Sequence, residues 1–243
     1  MGNKLLEFVD LTVKIREKTL YHNFSHTIRE GDRYIILGPN GAGKTILLKL
    51  ITCGKDILEK QIKDLHVSGQ MFDSNGNDIL RSGMERKQIV YIAQNEEDQR
   101  MDKATIQGQV KYVFAPMTDI EPDIKKLDEY LKRFNIRANR KAQIKTLSGG
   151  EKKIVQLIPR LMTLDRTKLL LLDEPLNHLS FQNSKVFNEI MRQELADNPN
   201  LAIIVVSHCR ALNFVTEALK YNDEKKILEN KPYQAYDCFT TVF

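Results

Sequence analysis

Twelve residues, Tyr34–Thr45 (YIILGPNGAGKT), bring three glycines, a lysine and a hydroxyl together at fixed spacing. Tyr34 to Leu37 is an apolar run that reads as a strand, and Gly43-Lys44-Thr45 reads as the opening of a helix. The turn between them follows G-x-x-x-x-G-K-[ST], the P-loop spacing. Gly38, Gly41 and Gly43 carry no Cβ, so the turn closes tightly and exposes backbone N–H groups. Pro39, Asn40 and Ala42 complete it. Its donors and the positive end of the helix dipole face one point, a ready site for a polyphosphate. Lys44 reaches the β- and γ-phosphates of such a ligand, and the Thr45 hydroxyl is placed to hold Mg²⁺.

Four further stretches carry chemistry. In LLLLDEP, Asp173 and Glu174 stand at the C-terminal end of an apolar run, Leu169–Leu172. Open α/β sheets bind ligands at that end of their strands. Asp173 is a candidate Mg²⁺ ligand, directly or through water, and Glu174 a candidate base for water attacking a γ-phosphate. In LSGGE, Ser148, Gly149 and Gly150 open a helix. Alone they read as an ordinary N-cap; behind a P-loop they read as a second anion site. Gln94 follows the short strand Ile89–Ala93, where its amide is a candidate for Mg²⁺ or the attacking water. Ser207-His208 ends the strand Leu201–Val206, which places His208 to hydrogen-bond a γ-phosphate.

The elements that must position these groups follow from periodicity. Residues 4–15 and Thr19–Ile28 read as strands, and His66–Asp78 as short antiparallel strands around Ser74-Asn75-Gly76-Asn77. The helix after the P-loop runs through Ile46–Ile51 and ends near Gly54. From Thr105 to Ala142 the pattern turns helical, and Asp123–Phe134 carries Ile124, Leu127, Tyr130, Leu131 and Phe134 on one face. Phe181–Ala196 is a further helix, and the tail from Leu212 is read as helix, polar turn and irregular end. Strands alternating with helices argue for an α/β parallel core with two additions, one antiparallel and one helical.

Bulk properties set limits. At 243 residues the chain suits one domain, or one with an elaborated subdomain. Its net charge of +5 permits contact with nucleic acid or an anionic membrane without arguing for either. Cys53, Cys209 and Cys238 have neither disulfide-framework nor zinc spacing, which suits a reduced cytosolic setting. The first residues lack a secretory apolar run, and no apolar stretch has the length of a membrane span. Work at a membrane would therefore need another chain to do the spanning.

The order GPNGAGKT, Gln94, LSGGE, LLLLDEP, His208 resembles the nucleotide-binding domain of ATP-binding cassette (ABC) ATPases, from residue 5 to about 225. The resemblance implies an α/β fold: a RecA-like P-loop NTPase core, an antiparallel β subdomain, and an inserted helical subdomain at about residues 95–163 that carries LSGGE. All of residues 1–243 would form one such domain. It implies ATP and Mg²⁺, and a head-to-tail pair with a second ABC subunit, identical or a paralogue. Ser148, Gly149 and Gly150 would then meet the γ-phosphate held on the partner's P-loop.

That resemblance leads to an ATP-hydrolysing subunit, cytoplasmic and at the inner face of the membrane, powering separately encoded integral membrane permease subunits. No nucleic-acid partner is expected. The alternative is a soluble ABC ATPase of the iron–sulfur assembly or translation-factor kind, which LSGGEKK and Asn177-His178-Leu179 resemble. A third class, a catalytically idle regulatory module, fits less well, because every catalytic residue type is present.

Three departures from the family stand out. Ile15 falls where an aromatic residue usually stacks on adenine, with Tyr21 as a second candidate. Pro159 is expected to kink or shorten its helix. Ser180 stands where the family commonly has Asp.

Overall fold

A computed structural model describes residues 2–93, 105–177, 179–208 and 212–234. Strand β1 (Lys4–Ile15) turns Leu6, Phe8, Leu11 and Val13 inward. A register shift between Phe8 and Leu11, with Asp10 at φ 50°, keeps both pairs on one face. β1 lies between β2 (Lys18–Arg29) and β4 (Leu65–Asp73) in an antiparallel sheet of order β2-β1-β4.

The second sheet has six strands, order β5-β6-β7-β3-β8-β9. These are β3 (Arg33–Leu37), β5 (Ile89–Ile92), β6 (Leu169–Asp173), β7 (Ala202–Val206), β8 (Glu217–Asn222) and β9 (Ile227–Pro232). Neighbours are parallel except β9, which pairs antiparallel with β8. Both faces are covered, so β6 and β7 are apolar and buried at almost every position. Leu170, Leu172, Ile203 and Val205 face one core, shared with the helices between β5 and β7. Leu169, Leu171, Ile204 and Val206 face the other, shared with the antiparallel sheet and α1 (Lys44–Gln61).

Between β5 and β6 come α2 (Ile106–Phe114), α3 (Ile124–Arg133) and α4 (Gly149–Leu161); α5 (Phe181–Asp197) joins β6 to β7. α3 starts where its sequence signals: Asp123 caps it by accepting from the Lys125 N–H, and Leu127, Tyr130 and Leu131 are buried. Among the described residues, no helix is long and apolar enough to cross a membrane.

Three local expectations are corrected, and one at Gly54 holds. The tail after Leu212 forms β8 and β9, not a helix. Its apolar residues do recur at helical spacing, but parallel pairing with β3 and burial of Ala218 and Leu219 prevail. His66–Asp78 holds one long strand, β4, whose return is a single bridge between Phe72 and Asp78. The helix after the P-loop ends at Gly54 as its sequence signals, since Gly54 adopts a non-helical φ 70° and ψ 173°, and a second helical segment then carries α1 on to Gln61. α4 runs through Pro159 to Leu161. A proline so near the helix end removes a single backbone donor, and the Met162 N–H closes the turn on the Ile158 carbonyl at 2.9 Å.

Candidate nucleotide site

β3 delivers the chain into the glycine turn. Gly43 adopts φ 85° at the N-cap of α1, and a Cβ there would stand 3.1 Å from the side chains of Leu20 and Tyr21. No side chain caps α1 and no acid sits in its first turn, so its leading N–H groups and dipole are left for an anion. Lys44 is 8% exposed, and its Nζ donates to the carbonyls of Gly38 (2.8 Å) and Pro39 (2.9 Å). Burial lowers its pKa, while Glu174 and Asp173 act in the opposite direction.

Parallel pairing puts the C-terminal ends of β6 and β7 beside that of β3. Asp173 ends β6 and is 2% exposed. Its Oδ2 accepts from the Tyr91 hydroxyl at 3.3 Å, and its Oδ1 has no hydrogen-bond partner. Burial pushes its carboxyl above the ordinary range, against the hydroxyls of Thr45 and Tyr91. A buried, unpartnered carboxylate oxygen next to a threonine hydroxyl suits a hard cation, which takes oxygen ligands. The described residues hold no cluster of three or more His, Cys, Asp or Glu that would form a protein-only metal cage. A metal here would complete its shell with phosphate oxygens and water.

Glu174 adopts φ 50°, a conformation that costs a non-glycine residue about 1–3 kcal/mol. Its N–H is fixed on the Val206 carbonyl at 2.8 Å. Its carboxylate accepts from the His208 N–H (3.1 and 3.3 Å) and the Ser207 hydroxyl (3.2 Å). The His208 ring stands above them, with Nε2 3.0 Å from Asn40 Oδ1 and 3.6 Å from Glu174 Oε1.

These groups line one cleft of about 480 Å³, with Asn40 to Thr45 as its floor and Asp173, Glu174 and His208 as its wall. The β1–β2 turn adds Ile15 and Lys18. Ile15 thus lies at the cleft, whereas Tyr21 is fully buried in the core and cannot stack on a base. Motif spacing misses Lys18, whose Nζ donates to the Gly41 carbonyl at 3.0 Å, and Tyr91, the partner of Asp173. Neither belongs to a sequence pattern; each arrives through strand pairing. Gln94 lies outside the described residues.

Ser148, Gly149 and Gly150 do not line this cleft. Ser148 caps α4 in a reciprocal capping box with Glu151: its Oγ accepts the Glu151 N–H, and Glu151 Oε2 accepts the Ser148 N–H at 2.8 Å. Ser148, Gly149 and Gly150 are all exposed, and a Cβ added at either glycine would meet nothing within 4 Å. Ser148 and Gly150 instead border a second cleft, of about 320 Å³, facing Ser180, Gln182 and Asn183 at the start of α5. Ser180 is the N-cap of α5 and accepts the Asn183 N–H at 3.2 Å.

A parallel sheet with a glycine turn feeding a helix N-terminus, and an Asp-Glu pair at the end of a strand two places away, defines a P-loop nucleotide-binding protein. A family model described as ABC transporter matches residues 21–177, and the chain belongs to that family. It is 28% identical over 229 residues to the ATP-binding protein Uup-like of Haemophilus influenzae, covering 93% of this chain and 44% of that one. It is 35% identical over 171 residues to the molybdate/tungstate import ATP-binding protein WtpC of Thermococcus kodakarensis, covering 68% and 47%. The chain thus spans under half the length of both relatives. A solved structure of the ATP-binding subunit of an ABC transporter superposes with a TM-score of 0.72 at 17% identity, covering 94% of this chain and 90% of that one.

Proposed function

We propose that this chain binds and hydrolyses ATP in head-to-tail pairs and powers separately encoded membrane permease subunits, which hold it at the inner face of the membrane. One observation carries the pairing. The cleft with the phosphate cradle, Asp173, Glu174 and His208 holds none of Ser148, Gly149 or Gly150, which stand exposed on another surface. A second copy or a paralogue supplies the missing half.

Within one half-site the roles follow from position. The α1 N-terminus and Lys44 bind the triphosphate. Thr45 and Asp173, with Gln94 as a further candidate, hold Mg²⁺, which when bound neutralises phosphate charge. Glu174 takes the proton of the attacking water; its left-handed backbone and its hydrogen bonds from Ser207 and His208 fix where its carboxylate points. His208, whose Nε2 meets Asn40 Oδ1 at 3.0 Å, exchanges that contact for the γ-phosphate when nucleotide binds. Ser148, Gly149 and Gly150 close the partner's site.

A relative named for import supports coupling to transport, and a relative named for ATP binding alone keeps a soluble role as the second reading. Recovery of the chain from membranes with a hydrophobic subunit supports the first; recovery free of membranes supports the second. For the nucleotide site itself, Lys44→Ala removes a charged donor and lowers ATP affinity about 10–100-fold by equilibrium binding. Undiminished affinity would contradict the cradle.

A further inference from the structure

α3, α4 and α5 share one apolar cluster, and α3 also meets α5 through three polar side chains, two of which converge on one oxygen. The Tyr130 hydroxyl donates to Glu194 Oε1 at 2.6 Å, and Lys126 Nζ lies 3.2 Å from the same oxygen. One turn on, Arg133 Nη1 donates to Gln193 Oε1 at 3.0 Å. Lys126, Tyr130 and Arg133 follow i, i+4, i+7 spacing, a single face of α3. Tyr130 is 2% and Glu194 8% exposed. Burial holds the Tyr130 hydroxyl protonated, and so a donor, at neutral pH.

A buried carboxylate must be paired, and its hydrogen bonds are directional, so they fix one geometry between the two helices. At its other end α5 does not close on α4: the cleft of about 320 Å³ separates Ser180 and Asn183 from Ser148 and Gly150. The pair α3–α4 is therefore pinned at one end of α5 and open at the other.

We infer that Glu194, with Tyr130 and Lys126, is the pivot that sets the angle of the Ser148-bearing helix against the phosphate-binding core. These are positioning residues: they touch no nucleotide and act on how the second half-site is presented. The inference rests on the pairing reading above.

The test separates nucleotide binding from association. For wild type, Tyr130→Phe and Glu194→Gln, ATP affinity is measured by equilibrium binding. The protein concentration giving half-maximal turnover and Tm are measured alongside. Tyr130→Phe keeps ATP affinity within about twofold and raises the half-maximal concentration about tenfold, the effect of one lost buried hydrogen bond. Glu194→Gln keeps an acceptor for Tyr130 and stays within about threefold of wild type. If Tyr130→Phe lowers Tm while the concentration dependence stays at the wild-type value, the pair is structural and the pivot is overturned. Should Tyr130→Phe fail to fold, Glu194→Leu carries the same tenfold test, because it removes the acceptor shared by Tyr130 and Lys126. A wild-type chain whose turnover does not depend on its concentration would overturn the pairing reading, and the pivot with it. A concentration-dependent wild type matched by its variants removes the pivot alone.

Discussion

Two helix N-termini in this chain are finished differently. α1 begins at a glycine with a left-handed backbone, without a side-chain cap and without an acid in its first turn. Its lysine is buried and its turn forms the floor of a walled cleft. α4 begins with a complete capping box, an acid in its first turn and two exposed glycines. The first leaves its donors to a ligand, so it is incomplete without an anion. The second satisfies itself and is complete as a fold, so its open glycines carry no structural duty inside this chain. On the proposed pairing, this exposed, self-capped turn is the surface that meets the partner's triphosphate.

The largest break in that comparison comes from Glu174→Gln. It removes the proposed base but not the cradle. Turnover falls about 10²–10⁴-fold while ATP binding persists and a paired species accumulates on size exclusion. Unchanged hydrolysis would remove Glu174 from the role.

Next comes Gly149→Asp, which probes the open turn. Within one chain a Cβ at this position meets nothing within 4 Å, and an acid at a helix N-terminus is favourable, so Tm holds or rises. Against a partner's triphosphate the same charge repels, and turnover falls about 10–100-fold, the effect of losing or opposing one charged contact. Retained turnover would show that the turn meets no anion.

Much of the first site was legible because its signals are local. The glycine spacing, the apolar strand before it and the Asp-Glu pair after β6 each declare themselves within a dozen residues, and the structure brings them to one cleft. What stayed hidden is set by pairing across the sequence. Lys18 reaches the cleft only because β1 and β2 form a hairpin over the glycine turn. Tyr91 meets Asp173 because β5 and β6 are neighbours. Glu194 and Tyr130 lie 64 residues apart in sequence. The tail misled for the same reason: its helical spacing competed with an edge of the parallel sheet, and the sheet won.

Opposite pH behaviour sharpens the comparison between the two sites. Burial raises the Asp173 pKa, so the ionised form destabilises the fold, and that loss is relieved as pH falls through the raised value. Hydrogen bonds from Ser148 lower the Glu151 pKa, so its contribution is full above the ordinary carboxylate range and lost as pH falls through the lowered value. Asp173→Asn therefore raises Tm at neutral pH without divalent cations, and the gain shrinks on acidification. A Tm gain independent of pH would contradict the assignment.

The smallest effect belongs to Ser180→Asp. Both residues cap a helix, so stability stays within about 0.5 kcal/mol by thermal melts. The added carboxylate enters the cleft beside Ser148 and changes the cooperativity of ATP turnover. Unaltered cooperativity would make Ser180 a cap and nothing more.

The central claim is that a whole site forms only across two chains, and a crystal structure of the Glu174→Gln chain with ATP and Mg²⁺ tests it most directly. The account predicts Ser148, Gly149 and Gly150 of one copy within hydrogen-bonding distance of the triphosphate bound at Lys44 of the other. Ser148, Gly149 and Gly150 facing bulk solvent in every assembly of that crystal would contradict it.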